Sequence, residues 1–242
     1  MGERVAILGV EFDRIDLPRA VDRIDRRLAR GERTFVITAN PEFVMLARRD
    51  ATLRDVARMA DLVVADGTGI SMASRAGGAP LRRVPGRMLV DAVIPVLARR
   101  GASVFLLGAA PGVAERAAAA LRKREPTLLV AGCYAGRAED DDETVERVSA
   151  AAPTAVLVAY GMPKQERWIA RNLAALPTVR LAIGVGGVFD QLAGLRRVPP
   201  ALLHRAGLEW AWRLAIEPAR WRRQRVLPVF AALVLRDRLL RR

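Results

Sequence analysis

The chain has 242 residues, enough for one large domain, or a domain with an appendage, and for a sizeable core. Apolar residues make up 52% and charged residues 27%, which excludes a disordered chain and a coiled coil. The single cysteine excludes an intramolecular disulfide, and with the single histidine it excludes a zinc site built on cysteine and histidine. The net charge is +14, and residues 196–242 hold twelve arginines against three acidic residues. Such a basic block indicates an anionic partner: nucleic acid, a membrane surface or a phosphorylated substrate.

Short β-rich runs alternate with helical segments over the first 195 residues. The run at 4–10 predicts a first strand or one arm of a hairpin. Asp16 and Asn40 each precede a proline that suits the first turn of a helix, so we expect helices to begin there. Later strands are predicted at 34–38, 62–65, 103–107, 128–131, 155–160 and 181–185, with helices after 112, at 143–151 and from the end of the turn 161–166 through 173. The alternation predicts an α/β fold, a mostly parallel sheet flanked by helices.

The pattern changes near residue 199, which divides the chain into a core, 1–195, and a basic appendage, 196–242. Three tryptophans and two prolines stand among the arginines of the appendage, at positions 210, 212, 221, 218 and 228. We expect two or three short helices there. Arginines interleaved with tryptophans suit a membrane interface. The alternative is a helix that packs on the core and holds its arginines in solvent. No run of about 18 apolar residues is present, so we expect no membrane-spanning helix.

Two polar clusters directly follow predicted strands and are candidates for catalysis, because parallel sheets bind ligands beyond the carboxyl ends of their strands. Asp66 follows the run 62–65 and precedes a glycine, an arrangement that suits a general base held in a cleft. The alternative is that Asp66 is an ordinary N-cap of the next helix. Thr38 and Asn40 stand at the end of the strand predicted at 34–38, and Asn40 has the alternative of serving only as a helix cap.

Two glycine-rich turns are candidates for binding. The turn Gly108–Gly112, which contains Pro111, presents free amides at a helix start, as phosphate prefers. It matches neither GxGxxG nor a Walker loop, and a tight strand-to-helix turn is the alternative. Gly186 and Gly187, with Asp190, follow the last predicted strand, where close packing of backbone is the alternative.

A third turn carries polar side chains. It begins at Gly161 and continues through Pro163 to Lys164 and Gln165. Lys164 could meet a diphosphate and Gln165 a sugar or a base, although exposed lysines are usually solvated. Tyr134 follows another predicted strand and could stack on a nucleobase, with an ordinary half-buried tyrosine as the alternative.

The acidic run Glu139–Glu143 contains an Asp-x-Asp spacing of the kind that holds a metal ion on a nucleotide sugar. The run precedes a predicted helix, where acidic residues favour the helix dipole, and no apolar strand leads into it. We therefore interpret it as a solvated helix start, with a metal site as the alternative.

These motifs, in this order, resemble the WecG/TagA/CpsF family of glycosyltransferases over essentially the whole chain. Two of them, Pro163–Glu166 and Gly186–Asp190, are specific in combination. The other matching stretches are Thr38–Glu42, Ala60–Gly69, Arg83–Gly86, Gly108–Glu115, Gly184–Gly194, and Gly207–Trp210 with Arg213 and Pro218.

The resemblance implies a Rossmann-like core and an inverting transferase. Members move N-acetylmannosamine, its uronic acid or a hexose from a UDP-sugar to a prenyl-diphosphate-linked sugar, in the synthesis of cell-surface polysaccharide or teichoic acid. No metal or other cofactor is expected. The appendage is implied to complete the site and to contact the membrane, which predicts peripheral attachment to an anionic surface at the cytoplasmic face. A homo-oligomer of the core is left open.

The same resemblance implies roles for particular residues. Asp66 is the implied general base, and Thr38, Asn40, Arg83 and Gln165 line the pocket. Arginines of the appendage are implied to meet the diphosphate, and our candidates are Arg213, Arg220 and Arg223. The other positions that we expect to contact a substrate are Gly108, Pro111, Gly112, Tyr134, Gly161, Pro163, Lys164, Gly186, Gly187 and Asp190.

One position departs from the family's pattern. Where members usually carry an acidic residue shortly after Arg-x-x-Gly, this sequence has Met88, preceded by an added cation, Arg87. The contact made by that acid is therefore lost, and the resemblance does not fix the sugar.

Two other classes of protein remain as alternatives. A nucleic-acid-binding protein would use the basic block on phosphates, but this does not explain why polar clusters sit at strand ends. A nicotinamide-dependent oxidoreductase shares the sheet, yet no GxGxxG with a ribose-binding acid follows a strand. We therefore expect a transferase without a nucleic-acid partner, in which Asp66 deprotonates the acceptor hydroxyl as it attacks the donor.

Overall fold

The computed structural model describes residues 3–197, 200, 202–203, 209–216 and 221–240. The strands are β1 (Arg4–Ile7), β2 (Val10–Asp13), β3 (Thr34–Ala39), β4 (Leu62–Ala65), β5 (Val104–Gly108), β6 (Val130–Tyr134), β7 (Ala155–Ala159) and β8 (Leu181–Gly184). The helices of the first half are α1 (Leu17–Ala29), α2 (Pro41–Arg49), α3 (Ala51–Met59), α4 (Thr68–Ala76) and α5 (Gly86–Arg99). Those of the second half are α6 (Val113–Arg124), α7 (Asp141–Ala151), α8 (Lys164–Asn172), α9 (Val188–Leu192), α10 (Glu209–Ile216), α11 (Trp221–Gln224) and α12 (Val226–Leu240).

Six strands form the central sheet of the described chain, in the order β4-β3-β8-β7-β5-β6, and every neighbouring pair is parallel. The predicted α/β fold is therefore confirmed. The predicted hairpin arm at 4–10 is also confirmed, because β1 and β2 pair antiparallel as a separate sheet.

Helices cover both faces of the central sheet. On one face α1, α5, α6 and α9 pack against alternate strand residues such as Val36 and Leu106. On the other face the hairpin and helices α2, α3, α4, α7, α8 and α12 pack against the intervening residues such as Ile37 and Leu107. The strands of the central sheet are mostly apolar because helices pack on both of its faces.

A buried carboxylate fixes the hairpin to the central sheet. Asp13, at the end of β2, is 3% exposed. Its two oxygens accept hydrogen bonds from Arg23 Nη1 at 2.8 Å and from the backbone N–H of Val63 at 2.9 Å. The bond to Val63 joins the hairpin to the amino end of β4, away from the strand ends where a ligand is expected.

Two predictions are wrong, one of the bounds of a strand and one of the length of a helix. The strand predicted at 128–131 is β6, which runs from Val130 to Tyr134, because Gly132 and the residues after it pair with Phe105 to Leu107 of β5. The last helix of the appendage is not short. α12 has 15 residues, and its Phe230, 3% exposed, packs into the core beside α2 and α4.

No helix in the described ranges is both long and apolar enough to cross a membrane.

Candidate active site

The carboxyl ends of β3 and β4 bring two predicted site residues side by side. Ala39 and Ala65 are partners in the parallel ladder, and Asn40 and Asp66 are the next residues on each strand. The backbone N–H of Asp66 donates to Ala39 O at 2.8 Å, and that of Val84 donates to Ala65 O at 2.8 Å. The segment that carries Arg83 is therefore held against the end of the strand that leads into Asp66.

Asp66 is half-buried at this strand end. The alternative that Asp66 is the N-cap of the next helix is wrong, because the N-cap of α4 is Gly67, which has φ +97°. Asp66 thus lies between the last residue of β4 and the N-cap of α4.

Asn40 does cap a helix. Its Oδ1 accepts a hydrogen bond from the backbone N–H of Phe43 at 3.0 Å, so the capping alternative is confirmed for the oxygen. The cap uses only the oxygen of the amide, and the side chain is half-buried. A contact between the Asn40 Nδ2 group and substrate stays a prediction.

Three helices begin at this part of the sheet edge. α2 follows Asn40, α4 follows Gly67, and α5 begins at Gly86, which lies against Thr38. A Cβ on Gly86 would stand 3.1 Å from Thr38 Oγ1, so glycine lets the start of α5 approach β3. Each helix has at least nine residues, and the free N–H groups of its first turn carry a partial positive charge. The edge is therefore suited to an anion.

Thr38 and Gln165 meet at Gly184, the last residue of β8. Thr38 Oγ1 donates to Gly184 O at 3.3 Å. A Cβ on Gly184 would stand 2.8 Å from Gln165 Nε2, so only glycine leaves room for the buried Gln165 amide. Gln165 Oε1 accepts from the backbone N–H of Gly186 at 2.9 Å. The structure thus joins these predicted residues although they are far apart in sequence.

A buried acid lies next to Gln165. Glu166 is 1% exposed, and its Oε1 accepts a hydrogen bond from Gln165 Nε2 at 2.8 Å. Burial raises the pKa of this carboxyl from 4.5 to about 7, and the bond from Gln165 opposes the rise only in part. Glu166 belongs to one of the motifs that carry the family resemblance, but the sequence predicted no role for it. Burial of an acid was the signal that it lacked, and this appears only in the fold.

The structure shows the surroundings of Arg83, Arg87 and Met88, in the segment where family members usually carry an acidic residue. Arg83 itself is half-buried. Arg87 Nε binds Asp91 at 2.9 Å within α5, and its Nη1 donates to Gln191 Oε1 at 3.3 Å. Met88 is 37% exposed. The added cation is therefore paired with Asp91 and joins α5 to α9.

The turn after β5 is partly structural. Gly108, with φ +96°, packs so closely on Tyr160 that a Cβ would stand 3.0 Å from its ring, which supports the tight-turn alternative for this residue. Pro111 and Gly112 are exposed, and Gly112 is the N-cap of α6. Contact of these two residues with a ligand stays a prediction.

The turn after β7 faces an acidic loop. Gly161 and Pro163 are half-buried. The exposed Lys164 Nζ lies 2.7 Å from Glu139 Oε1, so a diphosphate would have to compete with this carboxylate. Tyr134 is half-buried with the Arg147 guanidinium 5.3 Å from its ring centre. Its pKa is raised, first by a hydrogen bond to Glu143.

The acidic run is a solvated helix start, as predicted: α7 begins within it, and four of its five residues are exposed, namely Glu139, Asp140, Asp142 and Glu143. Asp141 is half-buried and accepts hydrogen bonds from Arg171 Nε and Nη2 at 2.8 and 2.9 Å, and from Asn172 Nδ2 at 2.8 Å. This one residue therefore docks α7 onto α8. Nowhere in the described chain do three or more potential ligand side chains cluster as a metal site.

The remaining predicted residues lie beyond β8. Gly186 is half-buried, and Gly187 is exposed with Arg196 Nη1 3.0 Å from the position of a Cβ. Asp190 lies 3.6 Å from Arg196. Arg213 and Arg223 belong to α10 and α11, but their side chains, like the whole of Arg220, lie outside the described residues.

Comparison with known proteins identifies the family of the chain. The model of the family described as "Glycosyl transferase WecG/TagA/CpsF family" matches residues 5–242. The chain belongs to the WecG/TagA/CpsF family of glycosyltransferases. Among the similar members of this family is a protein of Staphylococcus aureus (strain MRSA252) named N-acetylglucosaminyldiphosphoundecaprenol N-acetyl-beta-D-mannosaminyltransferase. It is 33% identical over 230 residues, 94% of this chain and 90% of the relative. Proteins of that name from strains NCTC 8325 / PS 47 and MW2 are 33% and 32% identical.

Proposed function

We propose that this glycosyltransferase moves N-acetylmannosamine from a UDP-sugar to N-acetylglucosamine on a prenyl diphosphate, with Asp66 as general base. The observation that carries the proposal is the position of Asp66. Asp66 is half-buried at the end of β4, is not the N-cap residue of α4, and lies at the sheet edge where three helices begin. The sugars come from the name of the S. aureus relatives.

The reaction follows as a single displacement. The oxygen of the acceptor hydroxyl forms a bond to the anomeric carbon while the bond from that carbon to the UDP oxygen breaks. UDP leaves with the electron pair, Asp66 takes the proton, and the anomeric centre inverts. The leaving diphosphate gathers negative charge, which in this proposal the first turns of α2, α4 and α5 and the Arg83 guanidinium stabilise. In this proposal no metal is needed.

We further propose that the appendage holds the enzyme on an anionic membrane, at the cytoplasmic face. α12 turns Phe230 to the core and leaves Leu235 and Leu239 on its other side, 56% and 72% exposed. Arg236 is exposed on α12, Arg225 is exposed in the turn before it, and Trp221 is 51% exposed with the Arg225 guanidinium 4.9 Å from its ring centre. Exposed apolar side chains together with arginine and tryptophan suit the headgroup region of a bilayer.

The direct experiment supplies purified protein with UDP-N-acetylmannosamine and a short prenyl-diphosphate N-acetylglucosamine. We expect a lipid product heavier by one N-acetylhexosamine, with one UDP released per product. A parallel reaction with UDP-glucose tests the sugar, since transfer of glucose alone would move the assignment to a hexose. Release of UDP without a glycosylated lipid, or no reaction with either donor, would contradict the proposal.

A further inference from the structure

The Gln165–Glu166 pair contains an arrangement that costs stability. Glu166 Oε1 is bound by Gln165, while Glu166 Oε2 is buried and has no hydrogen-bond partner among the described residues. A buried carboxyl oxygen without a donor is unfavourable whether the group is charged or neutral. A hydrophobic residue of the same size would pack there at lower cost, so the acid needs a reason beyond packing.

The bond between the two side chains fixes which way the Gln165 amide faces. A glutamine amide has two nearly equivalent orientations, and its neighbours decide between them. Glu166 Oε1 accepts from Nε2, and Gly186 N–H donates to Oε1 at 2.9 Å, so each end of the amide has one complementary partner. A flip would place two acceptors together at Glu166 and two donors together at Gly186.

One N–H of the oriented amide is not used by Glu166, because Nε2 carries two hydrogens and the bond consumes one. Nε2 lies against Gly184, the residue whose carbonyl Thr38 also contacts. In this orientation the second N–H of Gln165 Nε2 lies near the carboxyl ends of β3 and β8.

We propose that Glu166 is a positioning residue, which locks the Gln165 amide so that Nε2 donates to the transferred sugar at this edge. The proposal rests on the proposed function, because it assigns Gln165 to the donor side of that reaction. Glu166 itself touches no substrate. Its effect on turnover passes through Gln165 alone.

The test is a double-mutant cycle on kcat/KM with UDP-N-acetylmannosamine, using Glu166→Met, Gln165→Ala and the double variant. We expect E166M to lower kcat/KM about tenfold, as loss of one well-placed hydrogen bond does. We expect the double variant to be no worse than Q165A, because both act through one amide. Glu166→Gln keeps a carbonyl acceptor for Nε2 and should recover most of the activity that E166M loses.

The unfolding temperature of each variant shows whether Glu166 positions Gln165 or only supports the fold. E166M should unfold at the same temperature as the wild type or higher, since it removes a buried acid, while its activity falls. Asp13→Asn, a change at a buried acid far from the site, should do the reverse and lower the unfolding temperature without lowering kcat/KM. Effects of E166M and Q165A that multiply in the double variant would overturn the proposal.

Crystal structures of the variants decide the matter even if the wild type transfers no sugar. In E166M the distance from Gln165 Oε1 to Gly186 N should exceed about 3.5 Å, the limit of a hydrogen bond, and in E166Q the bond should persist. An inactive wild type with the amide displaced in E166M would refute the proposed function and keep the positioning role. An amide that stays in place in E166M would refute positioning.

Discussion

Glu166 carries a carboxyl group that folding removes almost wholly from water. Its pKa rises from 4.5 to about 7, so the folded state binds a proton more tightly than the unfolded chain. The contribution of Glu166 to the free energy of unfolding is therefore fully present below the unfolded pKa of 4.5, and it is lost as the pH rises through about 7. We expect Glu166→Gln, which does not titrate, to gain unfolding free energy over the wild type across this interval, up to about 3 kcal/mol.

Denaturant unfolding of both proteins at a series of pH values measures this difference. The other ionisable groups are common to the two proteins, so their contributions cancel. A difference that does not change between about pH 5 and pH 8 would show that Glu166 ionises normally.

Gly184 is the residue where addition of one methyl group should damage the site more than the fold. In Gly184→Ala the new Cβ would stand 2.8 Å from Gln165 Nε2 and must push the amide away. We expect a loss of about 1–3 kcal/mol in stability and a fall in turnover as Gln165 is displaced. Gly77→Ala is the matched control, because its Cβ would lie in ordinary contact, 3.6 Å from Ser74 O. Equal turnover in the two variants would contradict the assigned role of Gln165.

At the scale of the element, Asn40 has two roles at the first turn of α2. Its oxygen caps the helix, and its amide N–H group is predicted to contact substrate. Asn40→Asp keeps an oxygen for the Phe43 N–H and adds charge that the helix dipole favours, but removes the amide donor. Asn40→Ala removes both. We expect N40A to lose about 1 kcal/mol of stability and N40D to lose none, while both lose transferase activity. If N40D were as active as the wild type, Asn40 would be a cap and nothing more.

Elements were predictable from sequence where a local signal defines them. The caps Asp16 and Asn40 and the apolar runs of the parallel sheet placed most helices and strands. The position of β6 was not predictable in this way, because its extent depends on a partner. A Cβ on Gly132 would stand 2.7 Å from Phe105 Cε2, so this glycine continues the strand beside a large side chain, although its residue type suggests a turn.

The site was predictable in part for a reason that belongs to the whole molecule. Strand ends of a parallel sheet share one edge, and this rule alone brought Thr38, Asn40 and Asp66 together. The meeting of Thr38 and Gln165 on Gly184 requires β8 to lie between β3 and β7. Strand order is set by long-range packing, and no local pattern contains it. The length of α12 could not be predicted for the same reason, because Phe230 packs against α2 and α4, which are far away in sequence.

The surface of α12 makes a prediction for the whole enzyme. The double change Leu235→Glu and Leu239→Glu should reduce co-flotation with vesicles that contain anionic lipid, because it places two negative charges on the proposed contact face. Met59→Glu, at an exposed methionine of α3, is the control and should float as the wild type does. Point changes are preferable to removal of the appendage, since α12 also buries Phe230 in the core. Equal flotation of both variants would place the membrane contact elsewhere.

The central claim is that Asp66 takes the proton of the acceptor hydroxyl, and steady-state transfer by Asp66→Asn tests it most directly. The change is nearly isosteric, and the unfolding temperature of the variant, measured beside its rate, separates loss of the base from loss of the fold. Loss of a general base predicts a fall in kcat of about 100-fold or more, with the KM for the UDP-sugar little changed. A folded D66N protein that transfers sugar at nearly the wild-type rate would contradict the account.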